Sequence, residues 1–428
     1  MTDPPYIYDI DEKPPLRHAV FYGLQWTMIM FPNVIIAAAL SAKALQLGTD
    51  GHVRFFQLML LASGVFTSVQ CLWGHRYPLL EGPSTALLLT FMSLAPYGVP
   101  VIQAGSMIGG LFLVCVVVLG KLKRVTAFST PNVVGVILML ISFTLLPYLM
   151  RTIAGIDEAH PQGRPAIFLA GLALVLVIAS FSFRFSGFLK TISLLLGMLL
   201  GTAVFFVMDY PGLHSLTAAQ WFSMPREWVP SAPVLYWPAI AAMAASYVAA
   251  LVNSLGSLHG IANITDRERL PTSVSRGIMI NGVEGICCGF LGIVGMVSYS
   301  LSPGVVLANR VASRYAVALC GVVLAVAAFV PKLAALLALV PAPVVASALL
   351  VAMGTQVGAA LSIISSAGMS GRDYFVVGIP VMLGTLTAFL PPEFTATLPP
   401  AARLFAGNGL IVGIFLVLLL EHVLMRKR

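Results

Sequence analysis

Two carboxylates stand out because each is embedded in a run of residues that otherwise avoids charge. Glu81 lies in Pro78-Leu79-Leu80-Glu81-Gly82-Pro83-Ser84-Thr85, and Glu284 lies in Asn281-Gly282-Val283-Glu284-Gly285. An ionisable group in apolar surroundings is costly and marks a functional site by default. Glu81 precedes a proline-initiated helix, where a carboxylate can face a cavity and favour the positive end of the helix dipole. The alternative is an ordinary pair with His75 or Arg76 at a surface. Glu284 can instead hydrogen-bond a neighbouring helix. Both are candidates for carrying a proton, and Glu81 is also a candidate for binding the ligand directly.

The remaining reactive residues are less informative. His75 and His259 are single imidazoles near the ends of apolar runs, with no second ligand at metal spacing, and read as surface or capping residues. Cys71, Cys115, Cys287, Cys288 and Cys320 show neither CxxC nor zinc spacing and read as packing residues. Arg310 reads as a topology signal, and Asp266-Arg267-Glu268-Arg269 as a solvated loop. No HExxH, GxSxG or P-loop motif occurs, so neither an enzyme nor a cofactor or metal site is expected.

The elements that must position these groups follow from composition. The chain is 59% hydrophobic and 9% charged, with a mean hydropathy of +0.95. Soluble domains average about 25% charged residues, so most of this surface must face lipid. The apolar runs are continuous rather than alternating, which selects helices over a barrel. They fall at 18–40, 54–73, 84–97, 100–120, 131–149, 166–183, 188–208, 237–258, 274–296, 303–312, 315–330, 343–364, 374–390 and 407–425, giving about fourteen membrane segments. The net charge of +8 is scattered through connecting segments and argues for topology rather than nucleic acid. With Arg17, Arg76, Lys121, Lys123, Arg124, Arg184, Lys190, Arg267, Arg269, Arg276, Arg310, Arg314, Arg372, Arg426, Lys427 and Arg428 inside, both termini are cytoplasmic. The 209–236 stretch and the Pro-rich 391–400 turn then lie outside. The first sixteen residues are polar and lead into a full-length run, Val20 to Leu40, so no cleavable signal is read.

Two segments are too short to span alone, and each begins at a proline: Pro83 and Pro303, 220 residues apart. Proline suits the first turn of a helix but cannot continue one, so both read as extended backbone entering a half-helix. Pro131-Asn132-Val133-Val134 and Pro343-Val344-Val345 repeat the offset, about 212 residues apart. With seven segments per half, the second half enters the membrane inverted, and paired interrupted segments point to a transporter's substrate site. Half-helix ends with free N–H and C=O groups suit a flat ligand with alternating donors and acceptors, such as a nucleobase, or an anion.

At this point the chain resembles the nucleobase–cation symporter-2 family, the nucleobase–ascorbate transporters. Gly23-Leu24-Gln25-Trp26-Thr27-Met28-Ile29-Met30-Phe31 is similar to its LQH…MF signature, with Trp26 in place of His. Pro78 to Ala86 resembles its approach to the third helix. Leu258 to Thr265, with Arg276…Asn281-Gly282…Gly289-Phe290-Leu291-Gly292, resembles its ninth-helix region. Ser298-Tyr299-Ser300-Leu301-Ser302-Pro303-Gly304-Val305, followed by Arg310-Val311…Ser313-Arg314, matches its signature motif in frame.

The resemblance implies an all-α polytopic fold of fourteen spans as a seven-plus-seven inverted repeat. After a cytoplasmic tail, 1–16, a core domain would comprise spans 1–4 (17–120) and 8–11 (237–330). A gate domain would comprise spans 5–7 (121–236) and 12–14 (331–428). It implies a permease of the inner (plasma) membrane that carries a purine or pyrimidine base by symport with H⁺ or Na⁺, in a family where homodimers are common. Thr85, Tyr299 and Ser300 would contact the base, with Ser84 beside them. The family's usual acidic residue of span 8 is here Asn253, and its acidic or amide residues of span 10 are Leu301 and Ser302. Asn253 keeps a donor and an acceptor but cannot carry a proton, which makes Glu81 or Glu284 the expected substitute. The competing expectations are an anion transporter of the sulfate-permease kind on the same architecture, and a membrane enzyme or receptor without flux.

Overall fold

The computed structural model describes residues 6–123, 128, 130–156, 160–208, 220–225, 228, 231–366, 368–399, 402–403 and 408–426. Arg124, Lys427, Arg428 and most of 209–236, all used above for orientation, lie outside the described residues.

A helix occupies each of the fourteen apolar segments, and seven are long and apolar enough to cross a membrane among the described residues. In chain order the helices that matter here are α1 (Leu16–Ala44), α2 (Thr49–Leu72), α3 (Thr85–Leu94), α4 (Val99–Val118), α5 (Pro131–Thr144), α6 (Leu146–Ile153), α7 (Pro165–Arg184) and α8 (Ser193–Val207). They continue as α9 (Trp237–Ile264), α10 (Leu270–Leu291), α11 (Ser302–Asn309), α12 (Arg314–Ala327), α13 (Pro331–Ala338), α14 (Ala342–Ser366), α15 (Gly371–Ala388) and α16 (Gly409–Leu419). Their ends obey local rules. Pro131, Pro165, Pro303 and Pro331 occupy first-turn positions, where no N–H is needed. Ser84 and Thr130 cap α3 and α5 by accepting from Leu87 and Val133 N–H. Between α12 and α13 the chain bends by 93°.

The helices sort into two packed groups. In one, α1 and α2 lie on α12, and α4 lies on α9 and α10; in the other, α5 packs with α14, α15 and α16, and α14 packs with α6 and α7. Packing inside the first group is close enough to need glycine. A Cβ on Gly110 of α4 would stand 2.5 Å from the Gly282 carbonyl of α10, and one on Gly64 of α2 would stand 2.4 Å from the Gly321 carbonyl of α12. Small residues at helix crossings let backbones approach where lipid supplies no hydrophobic drive.

Both predicted extended stretches are present, and they pair with each other. Strand β1 (Glu81–Pro83) runs antiparallel to β2 (Met296–Ser298), with Glu81 opposite Ser298 and Pro83 opposite Met296. Ser84 N–H donates to the Gly295 carbonyl and Tyr299 N–H to the Leu80 carbonyl, both at 2.9 Å. Backbone that has left the helix is thereby satisfied without water.

The polar N-terminal segment is docked rather than loose. Tyr8 bridges Val311, Ile7 N–H donates to the Arg310 carbonyl, and Arg314 N–H donates to that of Ile10. Asp11 sits between Arg269 (2.5 Å) and Arg314 (2.7 Å). These contacts correct the reading of 266–269 as a purely solvated loop, because Arg269 also donates to the Arg76 carbonyl.

Candidate functional site

A cavity of about 370 Å³ lies between the two helix groups, where β1 turns into α3 and β2 leads toward α11. Its floor includes Pro83, Thr85, Val297 and Tyr299; α9 contributes Asn253 and Gly256, and α5 and α14 close the other wall with Leu138, Met353 and Gln356. It reaches toward the start of α5 and the last turns of α14, as far as Ile363. The size falls in the range of small-molecule sites. No lysine, arginine or carboxylate lines it; the polar groups are amides and hydroxyls.

Of the residues singled out from sequence, the cavity brings together Thr85, Asn253, Tyr299, Ser300 and Leu301. Asn253 makes no side-chain hydrogen bond to a described residue, so both ends of its amide are free for a ligand. Tyr299 is held in place by donating its hydroxyl to the Pro83 carbonyl at 3.1 Å. Ser84 and Ser302 are buried away from the cavity and act on the scaffold. Ser84 caps α3, and the Ser302 hydroxyl accepts from Leu80 N–H at 3.2 Å.

Glu81 does not face the cavity, contrary to the sequence expectation. It is completely buried behind the strand pair, where its Oε1 accepts from the Ser298 hydroxyl (2.5 Å) and lies 3.3 Å from His75 Nε2. The physical reason is the strand pairing. It sets Glu81 opposite Ser298 and between α2 and α10, a packed position in which a carboxylate must find donors.

His75 is likewise no surface residue: it is fully buried, with Nδ1 accepting from Tyr77 N–H at 3.0 Å. The chain after α2 folds back beneath it, through Arg76 N–H to the Gln70 carbonyl and a positive φ of 59° at Arg76.

Glu284 is fully buried as well, and one side chain joins it to Glu81. Asn281 Nδ2 donates to Glu81 Oε2 at 3.1 Å and to Glu284 Oε2 at 3.0 Å. Asn281 Oδ1 and Glu284 Oε1 are left without a partner among the described residues. Buried polar atoms without a hydrogen-bond partner are rare in native proteins, which sets these two apart from the packed residues around them. The sequence singles out both carboxylates, and His75 as a possible partner of Glu81, but gives no sign that Asn281 joins the two acids or that the His75 pair is buried rather than at a surface. The cluster reaches the cavity through Ser298, whose chain neighbour Tyr299 lines it. Arg310 caps α11 in the left-handed conformation, with a φ of 54°, away from the cavity lining.

Comparison with known proteins agrees with this architecture. The Permease family model (Xan_ur_permease) matches residues 17–393. The uric acid permease PucK of Bacillus subtilis is 28% identical over 400 residues, 91% of this chain and 92% of that protein. The xanthine permease of the same organism is 25% identical over 94% of this chain and 92% of its own length. Among solved structures, the transmembrane domain of the cyanobacterial bicarbonate transporter BicA superposes with a TM-score of 0.61 at 15% identity, covering 92% of this chain and 97% of that one. The murine anion transporter Slc26a9 in its inward-facing state gives 0.62 at 12%, covering 94% and 68%. At those identities the likeness is one of fold. The relatives found by sequence are permeases, not enzymes. With most of its length matched, the chain belongs to the permease family of nucleobase–ascorbate transporters.

Proposed function

We propose that this protein is a permease for a purine or pyrimidine base, driven by proton symport. The observation that carries the reading is the cavity built on the crossed strand pair, lined by amides and hydroxyls and free of basic residues. A nucleobase is a flat array of donors and acceptors and suits those walls; a bicarbonate or sulfate ion asks for positive charge. The relatives named for uric acid and xanthine support the same choice over an anion cargo.

In this reading the chain crosses the inner (plasma) membrane fourteen times as a seven-plus-seven inverted repeat, with both termini in the cytoplasm. The group containing α1–α4 and α9–α12 is the core, and the group containing α5–α8 and α14–α16 is the gate. Moving one against the other exposes the cavity to each side in turn. Thr85, Asn253, Tyr299 and Ser300 hold the base, and Leu301 shapes the wall. Glu81 and Glu284, joined by Asn281, take the coupling proton that Asn253 cannot carry. Ser298 links that proton to the loop on which Tyr299 sits. A homodimer is the expected assembly.

Uptake by proteoliposomes tests the reading. Radiolabelled uric acid, xanthine, uracil, bicarbonate and sulfate are offered with and without an inward proton gradient. The expected result is accumulation of at least one base, increased by the gradient. Uptake of the anions with no uptake of any base would overturn it.

A further inference from the structure

A second cavity, of about 440 Å³, opens where the N-terminal tail docks, bounded by the turn after α2 and the starts of α10 and α12. Four arginines line it, Arg76, Arg269, Arg276 and Arg314, against three carboxylates, Asp11, Asp266 and Glu268. Much of that charge is already paired. Arg269 binds Asp11 and Asp266, and Arg314 binds Asp11. The side chains of Arg76, Arg276 and Glu268 have no hydrogen-bond or ion-pair partner among the described residues. Two free guanidinium groups and one free carboxylate therefore face one cavity.

Exposed apolar residues beside the cavity place it relative to lipid. On α10, Arg276, Val283 and Phe290 recur at intervals of seven residues and share a face. Val283 and Phe290 are exposed, so that face meets the acyl chains, and Arg276 stands at its end. Helix α2, which packs on α10, carries an exposed Val65 and is followed at once by an exposed Trp73. Tryptophan settles at the level of lipid headgroups, and Arg76 follows it by three residues. Arg76 is also fixed in the left-handed region, at a φ of 59°. Its N–H donates to the Gln70 carbonyl and its carbonyl accepts from Arg269 Nη1, both at 3.0 Å. Side chains of L-residues rarely adopt that conformation, and its retention where neighbours over-determine it points to function.

We propose that this cavity binds the headgroup of a membrane phospholipid, with the phosphate between Arg76 and Arg276 and an ammonium group beside Glu268. A guanidinium offers paired N–H donors that match phosphate oxygens. Glu268 repels a headgroup that carries only negative charge and accepts from a primary ammonium, which has N–H donors that a quaternary one lacks. The lipid is thus of the phosphoethanolamine type, its acyl chains lying along the exposed faces of α2 and α10. The site is separate from the central cavity and independent of its cargo.

Native mass spectrometry of the purified full-length protein tests this. The protein is titrated with phosphatidylethanolamine, phosphatidylglycerol and phosphatidylcholine of identical acyl chains and, separately, with inorganic phosphate. Wild type is expected to bind phosphatidylethanolamine about tenfold more tightly than phosphatidylcholine, the worth of one charge-assisted hydrogen bond. The double variant Arg76→Gln/Arg276→Gln should weaken phosphatidylethanolamine by at least about that factor, and Glu268→Gln should remove its preference over phosphatidylcholine. Arg276→Gln alone, on a regular helix, keeps the test open if the turn at Arg76 does not tolerate exchange. The proposal is overturned if wild type holds the three lipids equally, or if the arginine variants keep wild-type affinity within about twofold. A preference for phosphatidylglycerol would overturn it as well. So would inorganic phosphate bound through the same arginines with no lipid preference, which would make this a site for free phosphate.

Discussion

Under the proposed proton symport, replacing Glu81 by glutamine should separate movement of the base from movement of the proton. Both carboxylate oxygens of the Glu81–Glu284 pair lie within 3.1 Å of a single nitrogen, Asn281 Nδ2, and so stand no more than about 6 Å apart. At an effective dielectric constant of about 20, two unit charges at that distance repel by about 3 kcal/mol. A proton on either carboxyl removes that repulsion, and one pH unit across the membrane supplies about 1.4 kcal/mol per proton. One proton moving with each base therefore sustains about tenfold accumulation per pH unit. The glutamine side chain keeps the shape and an acceptor for Ser298 but exchanges no proton. Proteoliposomes carrying Glu81→Gln should equilibrate a labelled base and catalyse its counterflow, yet show no accumulation under a gradient of one pH unit. If the variant still accumulates about tenfold, Glu81 does not carry the proton, and the bridge through Asn281 is only structural.

Two further outcomes follow from features remote from the cavity. Hydrogen bonds from Arg269 and then Arg314 hold the Asp11 carboxyl down at about 2, so its contribution is complete above the ordinary carboxylate value of 3.8 and is lost only as pH falls through about 2. Because that side chain is 54% exposed, screening limits its worth to about 1 kcal/mol at most. Cleavage at Lys13 by limited proteolysis should thus be flat from pH 5 to 8 in wild type and a few-fold faster in Asp11→Asn, and equal rates would show that the tail is held by other contacts. Gly282→Leu brings a Cβ to 2.8 Å from the Gly110 carbonyl, whereas Gly378→Ala meets nothing within 4 Å. The first should cost about 1–3 kcal/mol and lower the Tm in detergent, the second should leave it in place, and matched Tm values would refute the close crossing of α4 and α10.

Much of the scaffold was written in composition and in prolines. Continuous apolar runs leave helices as the way to satisfy backbone in lipid, and every such run holds a helix. Pro83 and Pro303 marked where the helices break, because a missing N–H and a fixed φ act locally. What the sequence did not disclose was side-chain direction at the breaks. Glu81 looked like a cavity group because the residues after it line a cavity. Its own orientation depends on pairing with a strand more than two hundred residues away, and no local pattern encodes that register. His75 was misplaced for a related reason: it stands at the end of an apolar run, while the turn that follows closes back onto α2 and seals the ring inside. Asn33 and Gln356 also line the cavity, but neither carries the charge that marks a site inside an apolar run. A lone amide within an apolar run was the available signal, and it points to the same cavity.

The pairing of β1 with β2 has a consequence in time. Glu81 and its partner Ser298 are 217 residues apart, and synthesis at about 5–20 residues per second separates their emergence by about 10–40 s. Throughout that interval the first extended stretch has no strand to satisfy it, and unpaired backbone in hydrocarbon costs several kcal/mol per group. The third helix is thus expected to stay uncommitted, sheltered by the insertion machinery or by water at the interface, until the second half arrives. The candidate site is among the last parts of the molecule to exist, and a chain halted before β2 would have most of its first-half helices and no such cavity.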